Sequence, residues 1–471
     1  MLTTLRNAWK IPELRRKLGF TLLIILLYRI GNVIPVPFVR FDMMAEMFSA
    51  QLSNTIFGLM DMMSGSAFSQ ATIFALSIQP YINSSIIMQL LTFVITSLAM
   101  GITVVIGHHI GEGRGDLAGD TVVVSAVMFA AFGVILTAAL EFFAKDIASL
   151  LRVPAESHAK AVVYLRICCG GTLIIIFYNV ISAVMRGMGD AKLPLLFVAI
   201  ACAVNVAGDL LLTGLLGMDV AGVAVATVFA QFVSVAASLA VLARRRLPFM
   251  VSPRRRVNTA ELKRILRVGI PLAIQETTVQ ASFLVVNMIV NGMGLLPSAG
   301  YGVAQKVVSV IMLVPSSIMQ SVSAFVAQNI GAGLDGRAAE GFRTAVVIGC
   351  GLGVFMFCAG FFFGGGLSSL FTADAGVVAE SAAYLKGFSP ECVLTCILFS
   401  AIGYFNGRGN GLPVMAQGML SALFVRIPLC MFFSVLPNAS LTLIGLASPL
   451  TTVFGIVFFG VCWLMAKRRR P

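Results

Sequence analysis

Ionisable side chains are rare inside the long apolar segments of this sequence, so those that occur there are the first candidates for chemistry. Glu276 and Asp209 each lie within such a segment. A charged group near the centre of a bilayer costs roughly 2.5–3.5 kcal/mol on insertion scales, so its presence favours a functional role. Asn205 precedes Asp209 by four positions, which places both side chains on one helix face. Oxygen ligands of this kind suit Na⁺ or a proton relay.

Glu276 has two open interpretations. Gln305 and Lys306 lie on the next apolar segment, where they could pair with Glu276 or reach a cleft. An ion pair between Glu276 and Lys306 would be structural. Without such a partner, a buried carboxyl can exchange protons and is a candidate for ion coupling.

The elements that position these residues follow from composition. Of the 471 residues, 58% are hydrophobic and 11% are charged, whereas soluble domains carry about 25% charged residues. This excludes a soluble globular protein. Only helices or closed barrels satisfy the backbone in lipid, and the apolar stretches are long enough for helices. We predict an all-α integral membrane protein with about twelve spans, at 18–38, 72–107, 120–143, 160–185, 194–216, 220–243, 267–292, 299–328, 343–371, 380–405, 412–435 and 440–466.

The distribution of basic residues predicts the topology. The net charge is +13, but Lys and Arg cluster at the ends of apolar segments rather than on one aromatic-rich face, so we expect no nucleic-acid binding. The densest basic run lies in the break at 244–266, and another ends the chain at 467–470. Positive-inside bias places both in the cytoplasm, and six crossings on each side of the break place the N-terminus there too.

An internal repeat divides the chain into two halves. Residues 110–113 (Ile-Gly-Glu-Gly) recur as 330–333 (Ile-Gly-Ala-Gly), and 187–190 (Gly-Met-Gly-Asp) recur as 407–410 (Gly-Arg-Gly-Asn), both at the same offset along the chain. Matched segments have the same ordinal position in each half, so the halves are parallel copies. We therefore expect two pseudo-symmetric six-helix lobes with a cleft between them.

Enzyme function is not expected. The loops contain no nucleophile with a base, no metal cluster and no paired catalytic carboxylates. The Gly-rich turns lack the lysine spacing of an ATP-binding loop, so any transport must use an ion gradient. The nine cysteines have no zinc or redox spacing and are interpreted as packing residues.

Residues 97–471 resemble the multidrug and toxic compound extrusion (MATE) family. The resemblance rests on residues 101–107 (Gly-Ile-Thr-Val-Val-Ile-Gly), 186–192 (Arg-Gly-Met-Gly-Asp-Ala-Lys) and 326–333 (Val-Ala-Gln-Asn-Ile-Gly-Ala-Gly), besides 110–113. It implies a drug/cation antiporter that exports organic cations or amphipathic compounds in exchange for Na⁺ or H⁺, with no other cofactor. The small substrate and the lipid bilayer are then its partners, protein partners are unknown, and it lies in the cell membrane with both termini cytoplasmic.

The resemblance also assigns site residues. Asn205, Asp209 and Thr227 match the family's ion site in the N-terminal lobe, where Na⁺ could bind, and Glu276 matches an acid of the seventh helix. The family site also uses an Asp of the first helix, where this sequence has Arg29 instead. Asp42 or Asp61 could substitute only by accident. Arg426 resembles a structural Arg-x-Pro, which favours packing and carbonyl contacts, and Glu391 is undecided. His108 and His109 are expected at the membrane surface rather than on a metal.

Residues 1–92 resemble the start of the SecY protein-translocation channel. The resemblance rests on residues 4–12 (Thr-Leu-Arg-Asn-Ala-Trp-Lys-Ile-Pro), 34–37 (Ile-Pro-Val-Pro) and 81–91 (Tyr-Ile-Asn-Ser-Ser-Ile-Ile-Met-Gln-Leu-Leu). The chain is therefore interpreted as a fusion: a SecY-like segment at 1–96, the rest of the N-terminal MATE lobe at 97–243, a basic cytoplasmic linker at 244–266 and the C-terminal MATE lobe at 267–471. Alternative functions are a component of the translocation machinery and a fusion that does not function.

Overall fold

The computed structural model describes residues 75–146, 155–190, 192–218, 220–244, 258–372 and 374–468. All regular structure within these ranges is helical. Almost all of it belongs to one compact unit, Pro80–Leu370 with Asp374–Pro471, and the sites below lie in that unit. The predicted first span at 18–38, which contains Arg29, lies outside the described residues, and so do Asp42 and Asp61.

In the described ranges, the N-terminal lobe has six α-helices and one π-helical turn. They are α1 (Ala75–Gly111), α2 (Gly115–Phe142), α3 (Ala155–Gly170), α4 (Thr172–Gly187), α5 (Lys192–Asp209), π1 (Leu210–Leu215) and α6 (Val220–Arg244).

Among the residues that the structure describes, the C-terminal lobe has nine further α-helices and a second π-helical turn. They are α7 (Thr259–Gly292), α8 (Leu295–Ile311), α9 (Leu313–Gly331), α10 (Asp335–Ser368), α11 (Ala375–Phe388), α12 (Glu391–Gly407), α13 (Gly411–Leu420), π2 (Ser421–Arg426), α14 (Ile427–Val435) and α15 (Leu441–Arg468).

These helices make up the predicted second to twelfth spans. In the described ranges, nine continuous stretches are long and apolar enough to cross a membrane, and two bent helix pairs bring the number to eleven. The pair α3–α4 bends by 43° at Gly171, and the pair α11–α12 bends by 49° next to Pro390, which has no N–H to continue a helix. The prediction of an all-α, many-span membrane protein is confirmed.

Several helices begin earlier than predicted, and the difference is largest for α7 and α10, which each begin eight residues early. The seventh predicted span starts at residue 267, but α7 begins at Thr259, because the side chain of Asn258 caps it by accepting a hydrogen bond from the Ala260 N–H. Residues 259–266 of the expected linker are therefore helical. Because these residues include several charged side chains, the hydropathy of the sequence does not indicate that they are helical. Likewise α10 begins at Asp335, ahead of the start predicted at 343.

The repeat is visible in the backbone. Gly113 and Gly333 have φ angles of 72° and 73°, and Gly189 and Gly409 have φ angles of 85° and 73°. These left-handed conformations favour glycine and end a helix in each case. We call the end of the bundle that carries these four turns the inner end; it is the predicted cytoplasmic end.

Candidate functional site

A cavity of about 570 Å³ lies mainly among helices of the C-terminal lobe. Its walls come from α7, α8, α9, α11, α12, α13, π2 and α15, and Phe93 of α1 completes them. This volume is in the range of small-molecule sites, which combine apolar walls with a few polar groups. The polar lining includes Glu276, Gln280, Gln305, Glu391, Thr395, Gln417, Arg426 and Thr452.

Glu276 projects from α7 into this cavity. It is half-buried, and its Oε1 accepts a hydrogen bond of 2.8 Å from the Nε2 of Gln280, one helical turn further on. Among the ion pairs of the described residues, none joins Glu276 to Lys306. The carboxylate is thus held by a neutral amide and remains turned toward the cavity.

Glu391 is a second carboxylate on the same cavity, and sequence analysis left its role undecided. It begins α12, directly after the bend at Pro390, and is only 6% exposed. Its Oε1 accepts a hydrogen bond of 2.7 Å from the hydroxyl of Thr452, while its Oε2 has no hydrogen-bond partner within the described ranges. A buried carboxylate oxygen without a partner is costly, so this atom is a candidate ligand for a cation or a proton.

Arg426 supplies a positive charge beside the two carboxylates. Its guanidinium donates a hydrogen bond of 3.1 Å to the Ser282 hydroxyl and lies 4.3 Å from the centroid of the Phe283 ring. It is within electrostatic range of both Glu276 and Glu391. Arg426 therefore lines the cavity and contacts a hydroxyl and a ring, where carbonyl contacts were expected.

Gln305 and Lys306 are neighbours on α8 but differ in whether they line the cavity. Gln305 lines the cavity and donates a hydrogen bond of 3.3 Å to the Tyr384 hydroxyl. Lys306, its neighbour on the helix, is not part of the lining. Of the residues predicted for the cleft, the structure thus brings Glu276 and Gln305 together.

Two of the three predicted residues of the N-terminal lobe, Asn205 and Thr227, meet at the contact of α5 and α6. The Asn205 amide donates a hydrogen bond of 3.4 Å to the Thr227 hydroxyl, which itself donates to the Val223 carbonyl. Asp209 ends α5 one turn beyond Asn205, immediately before π1. Its Oδ1 is buried and has no hydrogen-bond partner in the described part of the chain. None of the three lines the cavity.

The acidic groups of both lobes lie a similar number of helical residues from the inner end. Glu276 is at the midpoint of α7, which is 34 residues long and starts at the inner end. Asp209 is the last residue of α5, which is 18 residues long and also starts there. Glu391 is the first residue of α12, which is 17 residues long and finishes at that end. At 1.5 Å per residue, each group is about 25 Å along its helix from the inner end.

His108 and His109 were expected at the membrane surface, but His108 is half-buried and His109 is buried. His109 is fully buried, and its Nε2 lies 2.8 Å from the Oε2 of Glu261, itself 3% exposed. The Thr121 hydroxyl donates to the same carboxylate oxygen at 3.2 Å. The His108 Nε2 lies 2.7 Å from the carbonyl oxygen of Gly407. Because α7 begins at Thr259, Glu261 lies in its first turn and contacts His109. The hydropathy of the sequence does not indicate this early start.

Two groups of curated proteins resemble this chain. It is 27% identical over 356 residues to the probable multidrug resistance protein YpnP of Bacillus subtilis, covering 75% of this chain and 79% of that protein. It is 52% identical over 99 residues to the protein translocase subunit SecY of Streptomyces scabiei, covering 21% of this chain. The match spans 23% of that SecY protein, so most of a translocation channel has no counterpart here.

Solved structures confirm the fold. The crystal structure of a MATE protein in complex with MaD3S superposes with a TM-score of 0.80 at 19% identity, covering 90% of this chain and 94% of the other. An outward-facing multidrug resistance MATE family transporter superposes with a TM-score of 0.78 at 18% identity, covering 83% of this chain and 89% of the other. The predicted MATE-like architecture is therefore confirmed.

The MatE family model matches residues 47–211 and 271–432, more than half of the chain. Its first match begins inside the segment assigned to SecY by resemblance, so the two resemblances overlap, and the boundary at residue 96 stays a prediction. The described membrane-spanning helices, the cavity among them and the family match all indicate a membrane transporter. The chain therefore belongs to the MatE family of membrane transporters.

Proposed function

We propose that this protein exports small cationic or amphipathic molecules across the cell membrane in exchange for Na⁺ or H⁺. Glu276 and Glu391 would bind the exported cation and the coupling ion in turn, and both termini would lie in the cytoplasm. The observation that carries the proposal is the pair of carboxylates on one cavity, one of which has a buried oxygen without a partner in the described residues.

The charge of the cavity supports exchange rather than simple binding. With both carboxylates ionised, Glu276, Glu391 and Arg426 sum to one negative charge, which favours one organic cation. When Na⁺ or H⁺ binds a carboxylate, that net charge is lost and the organic cation is released more readily. Because coupling between two ligands is reciprocal, the departing cation also strengthens ion binding.

The N-terminal lobe offers a second ion position in this proposal. Asn205, Asp209 and Thr227 supply oxygen atoms within one turn of each other on α5 and across to α6. The unpartnered Oδ1 of Asp209 supports the assignment of an ion ligand there. Since Arg29 replaces the acid that the family resemblance implies, we assign this position a minor share of coupling.

The substrate class is taken from relatives and from the cavity. YpnP and the NorM protein of Thermotoga maritima are both described as probable multidrug resistance proteins. A cavity of about 570 Å³ with aromatic walls at Phe93, Phe283 and Phe399 suits a flat organic cation. Ethidium is therefore a suitable probe.

The test is ethidium accumulation in cells that express the chain. We expect expression to lower accumulation, and Glu276→Gln to remove this effect at equal protein level in the membrane. Glu340→Gln is the matched control, because Glu340 is exposed and lies outside the cavity. Equal accumulation with the unmodified chain and with Glu276→Gln would contradict the proposal.

A further inference from the structure

In the described residues, two hydrogen bonds from a side chain of one lobe to a helix-ending carbonyl of the other join the lobes at the inner end. The His108 side chain of α1 reaches the Gly407 carbonyl that ends α12, with Nε2 and oxygen 2.7 Å apart. The Gln328 amide of α9 donates a hydrogen bond of 2.9 Å to the Gly187 carbonyl that ends α4. A carbonyl oxygen can only accept, so the His108 Nε2 must bear the proton.

The two hydrogen bonds are copies of each other. The offset from His108 to Gln328 is the offset of the internal repeat, and the offset from Gly187 to Gly407 is the same. Each accepting carbonyl is followed by a glycine of positive φ, Gly189 or Gly409. A Cβ at Gly189 would lie 3.1 Å from the Gln328 amide nitrogen, and one at Gly409 would lie 3.6 Å from the His108 ring. Each turn thus receives one side chain from the opposite lobe.

The backbones of the two lobes also meet beside these bonds. A Cβ at Gly111 of α1 would lie 2.9 Å from the Ala332 nitrogen, and one at Gly331 of α9 would lie 2.9 Å from the His108 Cα. Gly111 and Gly331 again occupy equivalent positions of the repeat. The contact is therefore symmetric and has no room for a side chain.

An apolar layer separates these bonds from the cavity. Val104 of α1, Val268 of α7 and Ala327 of α9 belong to one buried cluster that also contains Leu398 and Ile402. Leu398 and Ile402 line the cavity as well. In the conformation seen here, the cavity is thus closed toward the inner end by this cluster and by the hydrogen bonds beyond it.

We propose that the hydrogen bonds of His108 and Gln328 form a two-part latch that holds the lobes together at the inner end, and that both must break to open the cavity to that side. The proposal deepens the proposed transport function, because a transporter must open the cavity to each side in turn, but its test does not require transport. His108 and Gln328 are positioning residues in this account, since they act on the lobes and not on substrate.

The buried pair of His109 and Glu261 differs from the latch. It links α1 to the first turn of α7, whereas Asn329, at the position equivalent to His109, donates to the Phe325 carbonyl of its own helix. Ile265 of α7 also packs in the core cluster of the N-terminal lobe. The pair therefore fastens the start of α7 to the N-terminal lobe, and it differs from the latch in joining residues that are not matched by the repeat.

The test measures how often the apolar layer opens. Val104→Cys places a thiol of similar volume at a position that is fully buried in the closed state. Inside-out vesicles are treated with a membrane-impermeant maleimide, and modification of the thiol at position 104 is followed by peptide mass spectrometry, which separates it from the native cysteines. Native Cys168, buried in the N-terminal lobe away from the latch, serves as the reference for unfolding.

We expect His108→Ala and Gln328→Ala each to raise the labelling rate at position 104 by about 2- to 12-fold, the factor that corresponds to the net value of one hydrogen bond. The double variant should multiply the two factors. His108→Gln should label like the unmodified chain, because an amide at this position can donate as Gln328 does. The Cys168 rate should stay constant throughout.

An unchanged rate at position 104 in both alanine variants would overturn the latch, and so would an equal rise at Cys168. Equal labelling of His108→Gln and His108→Ala would also overturn it, because a donor would then have no effect. If the chain fails to export ethidium while the alanine variants open position 104 as expected, the latch stands and the proposed function fails.

Discussion

The two lobes share a backbone repeat but differ in how they hold charge. In the C-terminal lobe, Glu276, Glu391 and Arg426 line one cavity of about 570 Å³. In the N-terminal lobe, Asp209 lies outside that cavity, one helical turn from Asn205, whose amide donates to the Thr227 hydroxyl. A duplicated fold thus preserves its turns, which need glycine, while its buried polar groups are free to diverge.

The largest effect is expected from the carboxylates of the C-terminal lobe. Glu276→Gln and Glu391→Gln each remove one of the two negative charges of the cavity without changing its volume. We expect each to lower ion-driven export of ethidium by about 5- to 150-fold, the usual range of coupling free energies. Initial rates in vesicles measure this, and rates equal to those of Glu340→Gln would contradict it.

A second prediction tests the minor share of coupling that we assign to the N-terminal lobe. Replacing residues 1–96 with the first helix and the start of the second helix of a MATE relative would restore the acid that the resemblance implies there. We expect faster export and a larger loss on Asp209→Asn in this background. If Asp209→Asn costs the same factor in both backgrounds, the weakness of the N-terminal site has another cause.

Asp209→Asn in the unmodified N-terminal background should have a smaller effect. We expect a loss of less than about fivefold in export, because the proposed mechanism assigns most of the coupling to the cavity carboxylates. The measurement is the same initial rate, with sodium and proton gradients applied separately. A loss as large as that of Glu276→Gln would reverse the ranking of the two lobes.

Thr227→Val should have the smallest effect. It replaces a hydroxyl by a methyl group of similar volume and removes a hydrogen bond of 3.4 Å to Asn205. Such a long, half-exposed bond is worth about 0.5 kcal/mol, which corresponds to about a twofold change. Sodium dependence of export reports it, and complete loss of sodium dependence would mean that Thr227 binds the ion directly.

Sequence reasoning predicted the fold because hydropathy, charge and glycine spacing report it directly. The predicted spans and the internal repeat depended on patterns that lipid and turn geometry impose. It also selected Glu276, since a lone acid in an apolar span is conspicuous. The start of α7 at Thr259 was missed, because a charged first turn looks like a linker.

The rest of the site depends on contacts between distant segments. Glu391 lies 61 residues from its partner Thr452. It is further still along the chain from Glu276, and no local pattern indicates that the two acids share a cavity. His109 and Glu261 are 152 residues apart, so their pairing was equally hidden. The partners of His108 and Gln328 could in principle have been suspected, because donors and acceptors both follow the repeat.

Ion-driven uptake of ethidium into proteoliposomes tests the central claim most directly. DNA trapped inside reports ethidium entry by fluorescence, and an outward gradient of Na⁺ or H⁺ is imposed on the unmodified chain, Glu391→Gln and Glu340→Gln. We predict that one of the gradients accelerates uptake by the unmodified chain and by Glu340→Gln, whereas Glu391→Gln takes up ethidium at one rate with or without it. Gradient-driven uptake by Glu391→Gln at the rate of the unmodified chain would contradict the assignment of coupling to the C-terminal cavity.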